Sequence, residues 1–182
     1  MSEGSSQHAD VVRPSDLEMK LLTDDGTFPN NESLHVLRYR GVFVLSHDDP
    51  AGIIEKVFRQ NDWEGCWRNG IYSYHHYHST AHEVLGVASG MARVQLGGDE
   101  GIVLNLEAGD ALLIPAGVAH KNMGSSGDFL VVGAYPAGQK YDMMYGRSGE
   151  RPRADRRIEQ TPLPRTDPVF GPQGPLDEHW KS

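Results

Sequence analysis

Four side chains of this 182-residue sequence could supply the donor atoms of a divalent-metal site: His76, His78, Glu83 and His120. The first three fall within Gly70-Ile-Tyr-Ser-Tyr-His-His-Tyr-His-Ser-Thr-Ala-His-Glu83. Residues two apart on an extended strand point to the same face, so His76 and His78 are expected to face together. Glu83 follows a short polar turn, Ser79 to His82, and opens the apolar run Val84-Leu85-Gly86-Val87. His120 ends the stretch Gly109-Asp-Ala-Leu-Leu-Ile-Pro-Ala-Gly-Val-Ala-His120. Three imidazoles and a carboxylate can hold one divalent metal and leave coordination places for a substrate. A lone histidine on a strand is more often a hydrogen-bonded structural residue. Burying this set without partners, however, costs on the order of 2–7 kcal/mol per polar group. A divalent cation supplies the partner.

The spacing resembles a known family. Gly70, His76, His78, Glu83 and Gly90 fall on the first cupin motif, a Gly, five residues, His-x-His, four residues, Glu, six residues and Gly. Gly109, Pro115, Gly117 and His120 fall on the second, a Gly, five residues, Pro-x-Gly, two residues and His. The family usually ends that motif with Asn four residues later, where this chain has Gly124, with Asn122 two residues earlier. That Asn is not a metal ligand in the family, so the departure leaves the donor set intact. More narrowly, the chain resembles the YjlB-like group of small bacterial cupins. The likeness runs from Thr23-Asp-Asp-Gly-Thr-Phe-Pro-Asn-Asn31 through His75-His-Tyr-His78 to Asp167-Pro-Val-Phe-Gly171 and Gly174-Pro-Leu176. It implies an all-β, double-stranded β-helix, the jelly-roll cupin barrel, with one short N-terminal helix and an extended C-terminal arm.

The elements that must position the donors can be read from the pattern. Residues 1 to 16 are polar and are expected to be disordered or loosely attached. The barrel with its N-terminal strand and helix is expected over 17–136. Val36-Leu-Arg-Tyr-Arg40 and Val42-Phe-Val-Leu45 read as strand. Asp49-Pro50 supplies an N-cap and a first-turn proline. Ile53, Ile54, Val57 and Phe58 follow at the spacing of a buried helical stripe, so a short helix should end near Asn61. Trp63 and Trp67 read as aromatic anchors over a barrel end. Short β-rich runs then follow: Ile71 to His78, Val84 to Ala88, Ala92 to Leu96, Ile102 to Leu106, Ala111 to Ile114 and Phe129 to Tyr135. Glycine-bearing turns between them, among them a five-residue hairpin loop Gly97-Gly-Asp-Glu-Gly101, favour a jelly roll. Six of the eleven prolines lie in residues 152–175. Composition alone would make residues 137–182 a disordered tail. Val169, Phe170, Leu176 and Trp180 instead favour an arm packed on the barrel or on a partner subunit, and they motivate a homodimer.

Side chains near the four donors have assignable places. His75 and Tyr77 should face away from the first pair, and His82 should lie on the surface or behind the site. Tyr72 and Tyr74 share the parity of His76 and His78, so they are weak catalytic candidates that could contact a substrate. Asn122 could stand behind His120, Lys121 should be solvated, and Tyr141, Asp142 and Arg147 are placed to roof the pocket.

Composition removes several function classes. A net charge of −8 and a pI near 5.5 argue against a nucleic-acid surface. No stretch approaches a membrane helix in length. No secretory signal is visible, and Cys66 is the only cysteine, so a reducing, cytoplasmic setting is expected. The thiol itself reads as structural. The expected cofactor is one divalent metal per chain, iron or manganese first, with zinc, nickel, copper and cobalt also compatible. The resemblance implies chemistries of the dioxygenase, decarboxylase and isomerase kind, on a small metabolite that chelates through oxygen. A non-catalytic metal- or small-molecule-binding module is the alternative. A seed-storage type of barrel fits less well, since those generally lack the metal ligands.

Overall fold

A computed structural model describes residues 10–181. Elements wholly within the described residues follow in order: β1 (Asp16–Leu22), β2 (Asn31–Arg40), α1 (Pro50–Gln60), β3 (Trp63–Asn69), β4 (Glu83–Ser89), β5 (Met91–Leu96), β6 (Ile102–Glu107), β7 (Ala111–Ile114), β8 (His120–Ser125), β9 (Leu130–Pro136), α2 (Arg153–Gln160) and α3 (Pro175–His179). A six-stranded sheet in the order β1-β2-β7-β4-β9-β3 faces a three-stranded sheet β6-β5-β8. The pairing is antiparallel throughout. This is a double-stranded β-helix, a jelly roll closed around an apolar interior.

The period-two rule sorts the large sheet's side chains into two cores. Leu85, Val87, Leu112, Ile114 and Val131 meet Val94, Leu96, Leu104 and Leu106 inside the barrel. Their neighbours Val84, Ala88, Ala111, Leu113, Val132 and Ala134 pack outward against Ile54, Val57 and Phe58 of α1. Because both faces are covered, β4 and β7 read as unbroken apolar runs rather than alternating ones. Glu83 has the parity of Leu85 and Val87, which turns its carboxylate into the barrel.

Helix α1 starts as its sequence dictates. Asp49 accepts from the Gly52 amide at 3.0 Å, Pro50 occupies the first turn, and Ala51, Ile54, Val57 and Phe58 are buried. Gly86 lets the helix approach, since a Cβ there would lie 2.5 Å from Ile54 Cγ2. The hairpin loop over residues 97–101 joins β5 to β6 as expected.

Several local expectations are corrected. Residues 1–9 of the segment expected to be disordered lie outside the described residues. Residues 10–16 are attached: Val12 is buried and bridges Phe43, and the Val44 amide donates to Val11 O at 2.8 Å. Val42 to Leu45 is no strand beyond that bridge. Residues 71–78 are not a continuous strand either, but carry two bridges, His76 to His120 and Tyr77 to Met144. Trp63 to Asn69, read only as aromatic anchors, forms the edge strand β3.

The C-terminal segment carries α2 and α3 and folds back on its own barrel. Val169, Leu176 and Trp180 are buried in the outer core beside Leu37 and Tyr39. Asp167 latches it, accepting from Tyr39 Oη at 2.6 Å and from the amides of Val169, Phe170 and Leu176 at 2.8, 2.9 and 3.0 Å. Trp180 Nε1 donates to His35 O at 2.9 Å. The apolar residues that motivated a homodimer are therefore spent within the chain.

Candidate metal centre

The donors come from three places in the fold. His76 and His120 sit opposite each other in an antiparallel bridge, with reciprocal amide–carbonyl bonds of 3.2 and 2.9 Å and ring centroids 4.1 Å apart. His78 lies two residues on, where its carbonyl accepts from the Gly117 amide at 2.8 Å. Gly117 has φ +95°, and a Cβ there would meet Asn30 O at 2.2 Å, so the Pro115-Ala-Gly117 turn requires glycine. Asn30 and Asn31 pin that turn, Asn30 Oδ1 accepting from Ala119 N at 3.1 Å and Asn31 Nδ2 donating to Ala116 O at 3.0 Å. Glu83 begins β4 opposite Ile114. All four donors are buried.

Each imidazole is oriented from behind. The Nδ1 atoms of His76, His78 and His120 lie 3.2, 2.6 and 3.1 Å from the carbonyls of Tyr74, Asp142 and Val118. A carbonyl can only accept, so each Nδ1 carries the proton and each Nε2 faces the site. Donor atoms of the three histidines all lie within 4.8 Å of one another and could hold a metal ion. Glu83 joins from one side, its Oε2 lying 3.2 Å from His78 Nε2 and 3.1 Å from His120 Nε2. Oε2 is buried without a properly directed hydrogen bond, whereas Oε1 accepts from Tyr135 Oη at 3.1 Å. Tyr135 Oη in turn accepts from Trp67 Nε1 at 2.9 Å. The carboxylate is thus clamped through one oxygen and bare at the other.

The electrostatics follow from this crowding. Burial and the nearby His120 push His76 down to about 3, so it stays neutral in the metal-free protein. Burial also disfavours the charged form of His78, but the Glu83 charge beside it and the Asp142 carbonyl on its Nδ1 outweigh burial and raise it. Glu83 is the mirror case: burial works upward, and the two histidines hold its carboxyl far below the usual range. Burial and Glu83 raise the Tyr135 phenol.

Part of the donor set already has the spacing of a cation's ligands. Two bonds of about 2.1 Å meeting at a right angle place their donors about 3 Å apart, which is the spacing of Glu83 Oε2 to the two Nε2 atoms. A hydrogen-bonded carbonyl behind each imidazole is the support that ligating histidines characteristically have. Beside the donors opens a cavity of about 260 Å³, whose lining includes Trp67, Ile71, Tyr72, Leu85, Tyr135, Tyr141 and Met143.

Comparison with known proteins places this architecture. The family model described as a cupin domain matches residues 67–132, which contain both motifs. A Bacillus subtilis (strain 168) protein, the uncharacterized protein YjlB, is 40% identical over 157 residues, covering 86% of this chain and 92% of that one. The chain is a cupin of the YjlB group. Among solved structures, an uncharacterized conserved protein with a double-stranded beta-helix domain from Klebsiella pneumoniae is 17% identical over 81% of this chain and 98% of that one, with a TM-score of 0.34. The acireductone dioxygenase from Bacillus anthracis, with cadmium in its active centre, is 17% identical over 50% of this chain and 62% of that one, with a TM-score of 0.36. No activity follows from likeness at that level.

The cupin brings His76, His78, Glu83 and His120 together. Tyr72 and Tyr74 do not enter the barrel; they are exposed and stack on each other at its mouth, ring centroids 5.0 Å apart. Asp142 and Tyr141 do close over the site, Asp142 through its carbonyl on His78 and Tyr141 with its ring 5.2 Å from that of His78. Arg147 instead lies 4.4 Å over the Tyr145 ring. His82 is not a surface residue: it is buried, accepts from Ala116 N at 2.9 Å and packs 4.8 Å from Trp180. Tyr77 is fully buried against Phe28, and His75 pairs with Asp99 at 2.9 Å, both facing away from the donors. Asn122 closes a turn on Gly124 rather than standing behind His120. Sequence reasoning missed Tyr135. Its strand was readable, but nothing in its spacing announces a hydrogen bond to Glu83.

Proposed function

We infer that this cupin is a metalloprotein that holds one divalent ion through His76, His78, Glu83 and His120 and acts on a small metabolite chelating through oxygen. One observation carries the reading. Three imidazoles protonated at Nδ1 bring their ligand atoms within 4.8 Å of one another, and Nε2 of His78 and of His120 stand 3.2 and 3.1 Å from a buried carboxylate oxygen that has no directed donor, beside a cavity. A group of acceptors so arranged calls for a cation.

Within that reading each residue has a task. Tyr135 and Trp67 hold Glu83 to a single donor oxygen. The Asp142 carbonyl fixes the plane of His78, and Asp142 is itself fixed because its carboxylate accepts from the amide and hydroxyl of Ser79. Ile71, Leu85 and Met143 give the cavity an apolar wall that keeps bulk water from bound substrate. Four protein ligands on a six-coordinate ion leave about two places. When bound, the metal supplies Lewis acidity toward a substrate oxygen and, if redox-capable, a place for dioxygen beside it. Iron is favoured first and manganese second, because catalytic zinc sites usually have three protein ligands.

Oxygen-dependent cleavage is the reaction proposed, with isomerisation or decarboxylation without dioxygen as the alternative on the same ligands. An oxygen electrode separates them. Iron-loaded protein would be supplied with catechols, 1,3-diketones and hydroxy-keto acids, in air and anaerobically. Conversion that stops without oxygen supports the oxygenase. Equal conversion without oxygen assigns the isomerase or lyase, and no conversion of any chelator leaves the binding module.

A homodimer is proposed on a different observation from the arm. Among the described residues β1 is an edge strand that pairs only with β2, and Met19 and Leu21 lie exposed along it. Unpaired edges of this kind invite pairing with another strand.

A further inference from the structure

Two tyrosines at the cavity mouth remain unexplained by metal binding. Tyr72 and Tyr141 both line the cavity and are 53% and 50% exposed. Each is backed by a second ring. Tyr74 stacks on Tyr72 with centroids 5.0 Å apart and planes inclined 16°, and Tyr135 stacks on Tyr141 at 4.7 Å and 20°. Each pair stands beside a different donor, Tyr72 5.2 Å from the His76 ring and Tyr141 5.2 Å from that of His78. Scattered exposed aromatics need no explanation. Two pre-stacked pairs around one opening are another matter, because backing a ring fixes its orientation before a ligand arrives and lowers the ordering cost of binding.

We propose that the cavity takes a ligand with a single aromatic ring beside a pair of chelating oxygens, the ring lying against Tyr72 and Tyr141 and the oxygens directed at the donor set. The proposal rests on the metal reading above and specifies its substrate class. Size agrees: an engineered cavity of about 150 Å³ holds benzene, and about 260 Å³ accommodates one substituted ring. Charge agrees as well. Arg68 lines the opening, but its guanidinium is already paired, Nε with Glu55 at 2.7 Å and Nη1 with Asp49 at 3.2 Å. Away from the donor set the walls offer ring contact with Trp67, Ile71, Leu85, Met143 and the tyrosines, and the polar side chains there are Asn69 and the paired Arg68.

The test compares mandelate with hexahydromandelate, which share an α-hydroxy acid head and differ in having a benzene or a cyclohexane ring. Binding is measured by calorimetry on zinc-loaded protein, where no redox turnover intrudes, with zinc content determined for every sample. Burial of apolar area alone would favour the cyclohexane compound. The aromatic clamp predicts mandelate tighter by roughly threefold to tenfold, the range of one aromatic contact. Tyr72→Ala and Tyr141→Ala should each abolish the preference with zinc content unchanged, and Tyr72→Phe and Tyr141→Phe should retain it. Equal or weaker binding of mandelate, or a preference that survives either alanine change, overturns the proposal. If the protein takes up neither zinc nor iron nor manganese when each is offered, the metal reading has failed. The same comparison on metal-free protein then decides the clamp alone, a preference for the benzene ring keeping it and its absence discarding it.

Discussion

Glu83 sets the character of the site, because one of its oxygens is committed and the other is not. Removing the committed partner should be felt at the metal without unfolding the barrel. Tyr135→Phe leaves Oε1 of Glu83 without its donor and is expected to weaken metal binding about tenfold, the lower end for a group supporting a ligand. Competition with a fluorescent chelator would measure it, and unchanged affinity would remove Tyr135 from the site's support. Protons compete with the metal in a stated direction. His78 is raised in the metal-free fold, so its favourable contribution is complete below its ordinary value of 6.5 and is lost as pH rises through the raised value. A metal must displace that proton, so the thermal shift on adding metal should grow from pH 6 to pH 8, by roughly one proton's worth. Buried His82 has the opposite sign. Burial lowers it to about 3, so the unfolded chain binds a proton below about 6.5 that the fold refuses, and stability is lost as pH drops below that value. In His82→Gln the slope between about pH 6 and 4 should be shallower by up to about 1.4 kcal/mol per unit, read from urea midpoints. An unaltered slope would mean that His82 titrates normally.

Elements explain how residues far apart in sequence arrive at one point. Gly133 on β9 faces Trp67 on β3, and a Cβ there would lie 2.1–2.5 Å from three atoms of the indole. Gly133→Ala should therefore push the ring off Tyr135 and cost about 1–3 kcal/mol by overpacking. Denaturant melts and a shifted tryptophan emission would register it. A variant with wild-type stability and emission would show that the close approach is not required. This chain of contacts also marks where sequence reading ends. The parity of His76 with His78, the capped helix α1 and the 97–101 hairpin were legible because each depends on neighbours in sequence. Residues 71–78 were read as a full strand because their composition is β-like, but their backbone partners are two separate segments, at His120 and Met144. The Trp67–Tyr135–Glu83 contacts span three strands, and no local period encodes them. Proline content hid α2 and α3 for a related reason: their burial comes from the barrel they pack on.

At the scale of the whole molecule, the barrel and the C-terminal segment form one hydrophobic body joined at Asp167. The four donors lie on the other face of the large sheet from that joint. The proposed homodimer is tested by light scattering at micromolar concentration, where a mass near twice 20.1 kDa is expected and one near 20.1 kDa would refute it. Among the described residues no helix is long and apolar enough to cross a membrane. The account stands or falls on the ion. Elemental analysis of protein purified without added metal or chelator, alongside the His76→Ala, His78→Ala double variant, is the most direct measurement. About one equivalent of a divalent metal in the wild type and almost none in the variant is the predicted result. Full metal content in the variant, or a wild type that takes up none even when iron, manganese and zinc are offered, would contradict it.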